Sequence, residues 1–227
     1  MSLLSFDIGI KNLAYCILCK KTKNIKDWGI INISCDDLCS HINTKGIKCD
    51  KSATYKTVNE ILLCTGHSKL KQYSNDKLKK NKSKNNMHSL GSKMVEELDK
   101  IPLFVECDEV IVENQPALKN PTMKSIQMMV YSYFLIKSKP IVLEMINARN
   151  KLKVYKGPTV LTPWENNKKY KYKINKYLAI EYCKYMIYNE KTKFKDLYNM
   201  SKKKDDLSDC YLQGIYFLEK NNISSKN

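Results

Sequence analysis

A chain of 227 residues is long enough for one moderate domain, or for one domain carrying an insertion. Forty Lys and Arg against 23 Asp and Glu leave a formal charge of +17, with a sequence pI near 9.3. That surplus favours a polyanionic partner, most simply nucleic acid, over a Lys-rich surface that is merely solvated. No run of 18 apolar residues exists to span a membrane, so no membrane partner is expected. Seven Gly, with neither a Walker pattern nor G-x-G-x-x-G, argue against a glycine-rich phosphate cradle, and three His leave little room for His-based catalysis. Nine Cys without a visible secretory leader read as reduced thiols in an intracellular protein, where Cys paired with His suggests metal before disulfide.

In chain order, Leu3 to Ile10 is an apolar first strand interrupted by Asp7. A bare carboxylate in a buried strand costs several kcal/mol unless a cation or strong donors compensate it. Asn12 to Cys19 and Trp28 to Ile33 read as two further strands, and their short spacers suit antiparallel hairpins. From Ser34 the character changes. Residues 34–67 read as an inserted Cys/His-rich module and residues 68–86 as a flexible basic linker, leaving 1–33 and 87–227 as the main domain.

Met87 to Ile101 has helical periodicity at Leu90, Met94, Val95 and Leu98. Asp108 to Glu113 is a β-branched strand ending on a carboxylate. Pro121 opens a helix through Ile136 whose Met128, Tyr131 and Leu135 read as core or dimer interface. Ile141 to Ile146 is a fifth strand, Tyr155 to Asn167 a loop, Lys169 to Tyr188 a basic Tyr-rich helix, and Asp205/Asp206 open a last helix through Leu218. Three antiparallel strands followed by helical crossovers predict an α/β fold with a mixed five-stranded sheet flanked by helices.

Four acids stand out. Asp7 and Glu113 sit on strands, and Asp206 and Asp209 share a helix face at i and i+3. Asp205 and Asp206 alone also suit a helix cap, but Asp209 lies among apolar neighbours inside the helix. Converging carboxylates suit hard divalent cations, Mg2+ or Mn2+. On a basic surface they imply two-metal phosphodiester cleavage.

Ser5-Phe6-Asp7-Ile8-Gly9-Ile10-Lys11-Asn12-Leu13-Ala14, Ile111-Val112-Glu113-Asn114-Gln115-Pro116 and Lys203-Lys204-Asp205-Asp206-Leu207-Ser208-Asp209 with Gln213 resemble, in order, the acidic motifs of RNase H-like nucleases. As a set they are similar to the poxvirus-type, RuvC-like Holliday junction resolvases. The resemblance implies an RNase H-like fold, a homodimer, and Mg2+-dependent symmetric nicking of four-way DNA junctions in recombination and repair. If the source is viral, it implies a host-cytoplasmic location. It gives the metal-ligand roles to Asp7, Glu113, Asp206 and Asp209, and a catalytic-site lysine to Lys173 or, preferably, Lys176. The alternatives are an RNase H-like nuclease on RNA–DNA hybrid or other branched DNA, and a non-catalytic zinc-containing DNA-binding protein.

The Cys/His insertion lies outside that resemblance. Cys39, Cys49, Cys64 and His67 form C-x9-C-x14-C-x2-H, with the tight knuckle Cys64-Thr65-Gly66-His67. Three thiolates and an imidazole suit one structural Zn2+, with Cys35 or His41 as alternatives to Cys39 and unliganded cysteines as the plainer reading. Lys168, Lys169, Lys171 and Lys173, interleaved with Tyr172, are the expected DNA-contacting residues, since Lys meets phosphates while Tyr packs on sugars or bases. The run Lys69 to Lys84 lacks that aromatic interleaving and reads equally well as a solvated tether.

Overall fold

The structure, a computed structural model, describes residues 1–118, 120–164 and 167–224, without the side chains of 148 and 222–224. Its strands and α-helices are β1 Ser2–Asp7, β2 Leu13–Cys19, β3 Ile25–Ile31, β4 Tyr55–Lys56, β5 Leu62–Leu63, β6 Lys79–Lys80, α1 Met87–Asp99, β7 Glu109–Glu113, α2 Pro121–Lys137, β8 Val142–Ile146, α3 Lys171–Met186, α4 Thr192–Met200 and α5 Lys204–Ser224. They divide into two compact units, Met1–Ile33 with Met94–Asn227, and Ser34–Lys93.

The larger unit holds the expected mixed five-stranded sheet, in the order β3-β2-β1-β7-β8. β1–β2 and β2–β3 pair antiparallel; β1–β7 and β7–β8 pair parallel. Period-two alternation sorts the side chains of β1. Leu4 and Phe6 face one side, where Phe6 packs on Phe104 and Phe134 with ring centroids 5.5 Å away in each case. Leu3, Ser5 and Asp7 face the other, under α5. There Gln213 donates to Ser5 Oγ at 3.2 Å and to the Phe6 carbonyl at 3.0 Å. Gly214 permits that close approach, because a Cβ there would lie 2.7 Å from Leu18 Cδ1. Leu207, Tyr211, Leu212, Ile215 and Leu218 are all buried, as their spacing predicts. Trp28 of β3, 2% exposed, donates from Nε1 to the Leu207 carbonyl at 3.2 Å and stacks on Tyr198 of α4 at 5.4 Å. Among the described residues no helix is long and apolar enough to cross a membrane.

Four expectations change. β3 starts at Ile25, because a tight turn (Lys23 N–H to Cys19 O, 2.8 Å, with Lys23 at φ 61°) returns the chain at once. α4 is an additional helix, so three helices rather than two follow β8. On α2 the buried stripe is Ile126, Val130, Tyr133 and Phe134, whereas Met128 and Leu135 are exposed; the helix is apolar on more than one face, so spacing alone does not choose the face. Residues 68–86 are not a loose linker: two short 3-10 turns cover His67–Lys69 and Lys71–Tyr73, and β6 pairs with β4. Backbone pairing there leaves the Lys79 and Lys80 side chains exposed, which is why the composition resembles a tether.

Candidate active site

The site grows from the carboxyl ends of the parallel strands, where crevices in open α/β sheets form. Ser5 pairs with Ile111 and Phe6 with Val112, so the next step along both strands brings Asp7 beside Glu113 on the α5 face. The chain then leaves β1 through Gly9, where a Cβ would meet the Asn12 carbonyl oxygen at 2.3 Å, so only glycine fits this turn. From α5, Asp206 and Asp209 project two turns and one turn, respectively, before Gln213, the residue that pins the helix over β1. The four acids line one cleft of about 510 Å3 together with Gln115, Arg149, Lys151, Tyr172, Asn175 and Lys176.

Each acid has a defined setting. Gln115 Nε2 donates to Glu113 Oε2 at 2.8 Å, and the Gln115 backbone N–H donates to Oε1 of the buried Gln127 at 2.8 Å, which fixes the chain beyond β7. Lys151 Nζ pairs with Asp209 Oδ2 at 2.6 Å. Lys176 Nζ pairs with Asp205 Oδ2 at 2.5 Å and lies 5.1 Å over the Tyr172 ring. Asp206 Oδ2 is buried without a hydrogen-bond partner.

The acids repel one another. Burial pushes the Asp7 carboxyl well above the usual carboxylate range; a hydrogen bond that protonated Asp7 donates to Glu113, and the charges of Glu113 and Asp209, raise it further against the pull of Lys151. Burial, with nearby Asp205, lifts Asp206 to about 6. Burial and the Glu113 charge raise Asp209 despite its Lys151 partner. Lys151 rises although burial opposes it, because Asp209, Asp7 and Glu113 surround its ammonium. Asp205 moves down because Lys176 outweighs its burial.

This donor set fits a hard divalent cation. An orphaned carboxylate oxygen and acids held too close to ionise freely are what a bound dication relieves, and oxygen donors are what Mg2+ and Mn2+ prefer. The sign of the pH effect follows. Without metal, the folded state binds more protons than the unfolded chain between the ordinary carboxylate pKa near 4 and the raised folded values. Stability is therefore full below that window and is lost as pH rises through it, to about 6 for Asp206. Asp206→Asn is expected to raise the metal-free Tm by ~2–4 °C at pH 7, an effect of about 1 kcal/mol for a partly buried carboxylate, and to change it little at pH 4.5. Differential scanning fluorimetry at the two pH values checks this; equal shifts at both would contradict it.

A comparison with models of known protein families finds no match. The chain is 30% identical to the uncharacterized protein L451 of Acanthamoeba polyphaga mimivirus, over an alignment of 312 residues that covers 96% of this chain and 75% of that protein. It belongs to the family of that viral protein. Similar solved structures are the Fowlpox virus resolvase with its substrate Holliday junction DNA (19% identity, TM-score 0.48, 97% of this chain and 99% of that one), the Fowlpox virus Holliday junction resolvase (18%, TM-score 0.47, 97% and 99%), and the yeast mitochondrial Holliday junction resolvase Ydc2 (13%, TM-score 0.48, 99% and 84%).

Of the residues expected from sequence, Asp7, Glu113, Asp206, Asp209, Lys176 and Tyr172 of this family member line the cleft; Lys173 does not. Lys168, Lys169 and Lys171 sit exposed at the start of α3 and the turn before it, and the Lys169 and Lys173 ammonium groups lie over the Tyr170 ring at 5.7 and 5.9 Å. Sequence reasoning missed Lys151, Arg149, Asn175 and Gln115. A signal existed for three of them: Arg149 and Lys151 follow β8, whose carboxyl end must open onto the same crevice as those of β1 and β7. For Asn175 the signal was helical: Tyr172, Asn175 and Lys176 continue the stripe that buries Ala179 and Cys183.

Proposed function

We propose that this protein is a Holliday junction resolvase, a metal-dependent, structure-selective endonuclease that nicks four-way DNA junctions symmetrically. The observation that carries this reading is one cleft whose floor is four acids and whose walls are basic and aromatic. Asp7, Glu113, Asp206 and Asp209 would hold two Mg2+ or Mn2+ ions, which when bound activate water as the nucleophile and stabilise the leaving oxygen of a phosphodiester. Gln115 orients Glu113 by its hydrogen bond. Lys151 holds Asp209 and balances charge at the cleft floor. Lys176, kept cationic by Asp205, stands ready for a phosphate oxygen, with Arg149 beside it in the cleft wall. Tyr172, 71% exposed, offers a face to sugar or base, and Lys168, Lys169, Lys171 and Lys173 extend the track for the phosphate backbone.

The junction, rather than another phosphodiester, is what the ordered acidic motifs imply through their resemblance to the poxvirus-type resolvases. A homodimer, the symmetric partner that paired nicks require, accords with Met128, Leu135 and Ile136 standing exposed on α2. The viral relative accords with work in a host cytoplasm on recombination or repair intermediates. The experiment is purified protein with Mg2+ on an end-labelled four-way junction, a linear duplex and an RNA–DNA hybrid of matching sequence. Paired symmetric nicks on the junction alone are expected. Cleavage of the hybrid in preference, or binding without any cleavage, would replace this reading with the corresponding alternative.

A further inference from the structure

The cysteine-rich unit Ser34–Lys93 folds around very little. Its buried apolar cluster consists of Cys39, Leu63 and Cys64, with Cys49, Ile61 and Tyr73 partly buried against it. A core of that size does not offset the chain entropy of ordering the unit, and small units of this kind use a staple. No disulfide is present among the described residues: all nine cysteines are free thiols.

Two hairpins deliver four soft ligands to one point. In the first, bridges at Leu38–Ser52 and Ile42–Lys48 bring Cys39 and Cys49 onto facing arms, with the Cys39 N–H donating to the Lys51 carbonyl and the Cys49 N–H to the His41 carbonyl, each at 2.9 Å. The turn closing it is held by Asn43 Oδ1, which accepts from the Lys45 and Ile47 amides at 2.9 Å, and by Gly46 at φ +73°. In the second, β4 and β5 lead straight into Cys64-Thr65-Gly66-His67, where the Ser68 N–H donates to the Cys64 carbonyl at 2.9 Å and turns the chain back on itself.

We propose that Cys39, Cys49, Cys64 and His67 bind one structural Zn2+, with His67 as an Nδ1 ligand. Their ligand atoms all lie within 4.8 Å of one another, and this is the Cys/His group of that kind among the described residues. Cys39 Sγ and His67 Nδ1 stand 3.4 Å apart. A tetrahedral zinc with Zn–S near 2.3 Å and Zn–N near 2.0 Å requires about 3.5 Å between those two atoms. Backbone N–H groups of Gly66 and His67 face the Cys64 sulfur, and those of His41 and Cys64 face the Cys39 sulfur. Four protein ligands close the coordination sphere, which marks a structural rather than a catalytic zinc, and three thiolates select it over the oxygen-seeking ions suited to the carboxylate cleft.

The geometry also decides between the candidate ligands that the sequence left open. Cys35 Sγ donates to the Ser89 carbonyl at 3.4 Å, away from the group. His41 packs its ring against His67 at a centroid distance of 3.9 Å and edge-on to Tyr73 at 6.4 Å, so it is a positioning residue for the ligand imidazole.

The full chain, purified without affinity-tag histidines or chelator, is tested for metal by elemental analysis and by X-ray absorption at the zinc edge. One zinc per chain is expected, in a shell of three sulfurs near 2.3 Å and one nitrogen near 2.0 Å. Asp7→Asn and Cys35→Ser should keep the full complement, and His41→Ala should keep zinc but release it to a chelator at least several-fold faster. Cys64→Ser and His67→Ala should each lose most of it. Should Cys64→Ser not fold, Co2+ exchanged into the wild-type protein gives the second readout, thiolate-to-cobalt charge-transfer bands with tetrahedral d–d absorption. A chain that stays metal-free after dialysis against buffered Zn2+, or an oxygen-rich zinc shell, or loss of zinc in Cys35→Ser, would overturn the assignment. None of these readouts depends on DNA cleavage, so they stand apart from the nuclease reading.

Discussion

Asp7→Asn is expected to lower the Mg2+-dependent nicking rate on a four-way junction by about a thousandfold, while changing junction affinity by no more than a few-fold. Asp7 ends β1 beside Glu113, opposite Asp209, and its carboxyl is pushed well above the usual carboxylate range by burial and like charge. In the proposed site it is a ligand to dications, and loss of a charged ligand from a two-metal site removes several kcal/mol of transition-state stabilisation; about 4 kcal/mol is a thousandfold. DNA affinity rests instead on Lys and Arg contacts to phosphates, which this substitution leaves alone. A second effect distinguishes a functional acid from a structural one. Asn removes a repelled buried charge, so the metal-free variant should melt higher than wild type, and the gap should narrow when Mg2+ stabilises the wild-type protein alone. Gel-based nicking, junction binding in Ca2+ and thermal melting with and without Mg2+ measure the three parts. Retained nicking, or a fall in Tm, would mean that Asp7 serves the fold.

The largest stability effect is expected away from the cleft. Trp28→Ala should cost about 3–5 kcal/mol of unfolding free energy, the usual range for emptying a large buried aromatic site. Trp28 stacks on Tyr198 at an interplanar angle of 11°, touches Tyr211 at 5.8 Å, and donates to the carbonyl of Leu207. Leu207 lies between Asp206 and Asp209, so this one side chain ties β3 and α4 to the turn of α5 that carries the acids. The substitution should therefore lower nicking even at temperatures where the protein stays folded. Trp28→Phe keeps most of the packing and loses chiefly the indole hydrogen bond, worth about 1 kcal/mol. Chemical denaturation of the three proteins gives the ranking; an alanine cost near that of phenylalanine would mean that the pocket collapses around the loss.

What could be read in the sequence was whatever short-range periodicity controls. The strand bearing Asp7, the strand ending at Glu113 and the i, i+3 pair Asp206/Asp209 were legible because alternation and helical spacing decide which way neighbouring side chains point. The residues that escaped are set by tertiary packing. Lys151 belongs to a 3-10 stretch, Ala148–Val154, with no strong period; following β8 places that stretch at the crevice, and its seat against α5 is what brings the ammonium to Asp209. The apolar residues of α2 surround the helix widely enough that Met128 and Leu135 look as buried as Ile126 and Val130, and only the sheet settles which face it covers. α4 is only nine residues, buried chiefly through Phe194 and Tyr198, too little pattern to announce a helix. In the Cys/His unit the spacing C-x9-C-x14-C-x2-H left three choices for one ligand, and it took the two hairpins to separate Cys39 from Cys35 and His41.

The central claim is that Asp7, Glu113, Asp206 and Asp209 form a single divalent-metal site. Anomalous diffraction from a crystal soaked in Mn2+ tests it most directly. Two manganese peaks about 3.5–4 Å apart, bridged by these carboxylates with Lys151 displaced from Asp209, are the predicted result. Manganese bound elsewhere on the surface while the Lys151–Asp209 pair stays closed would contradict it.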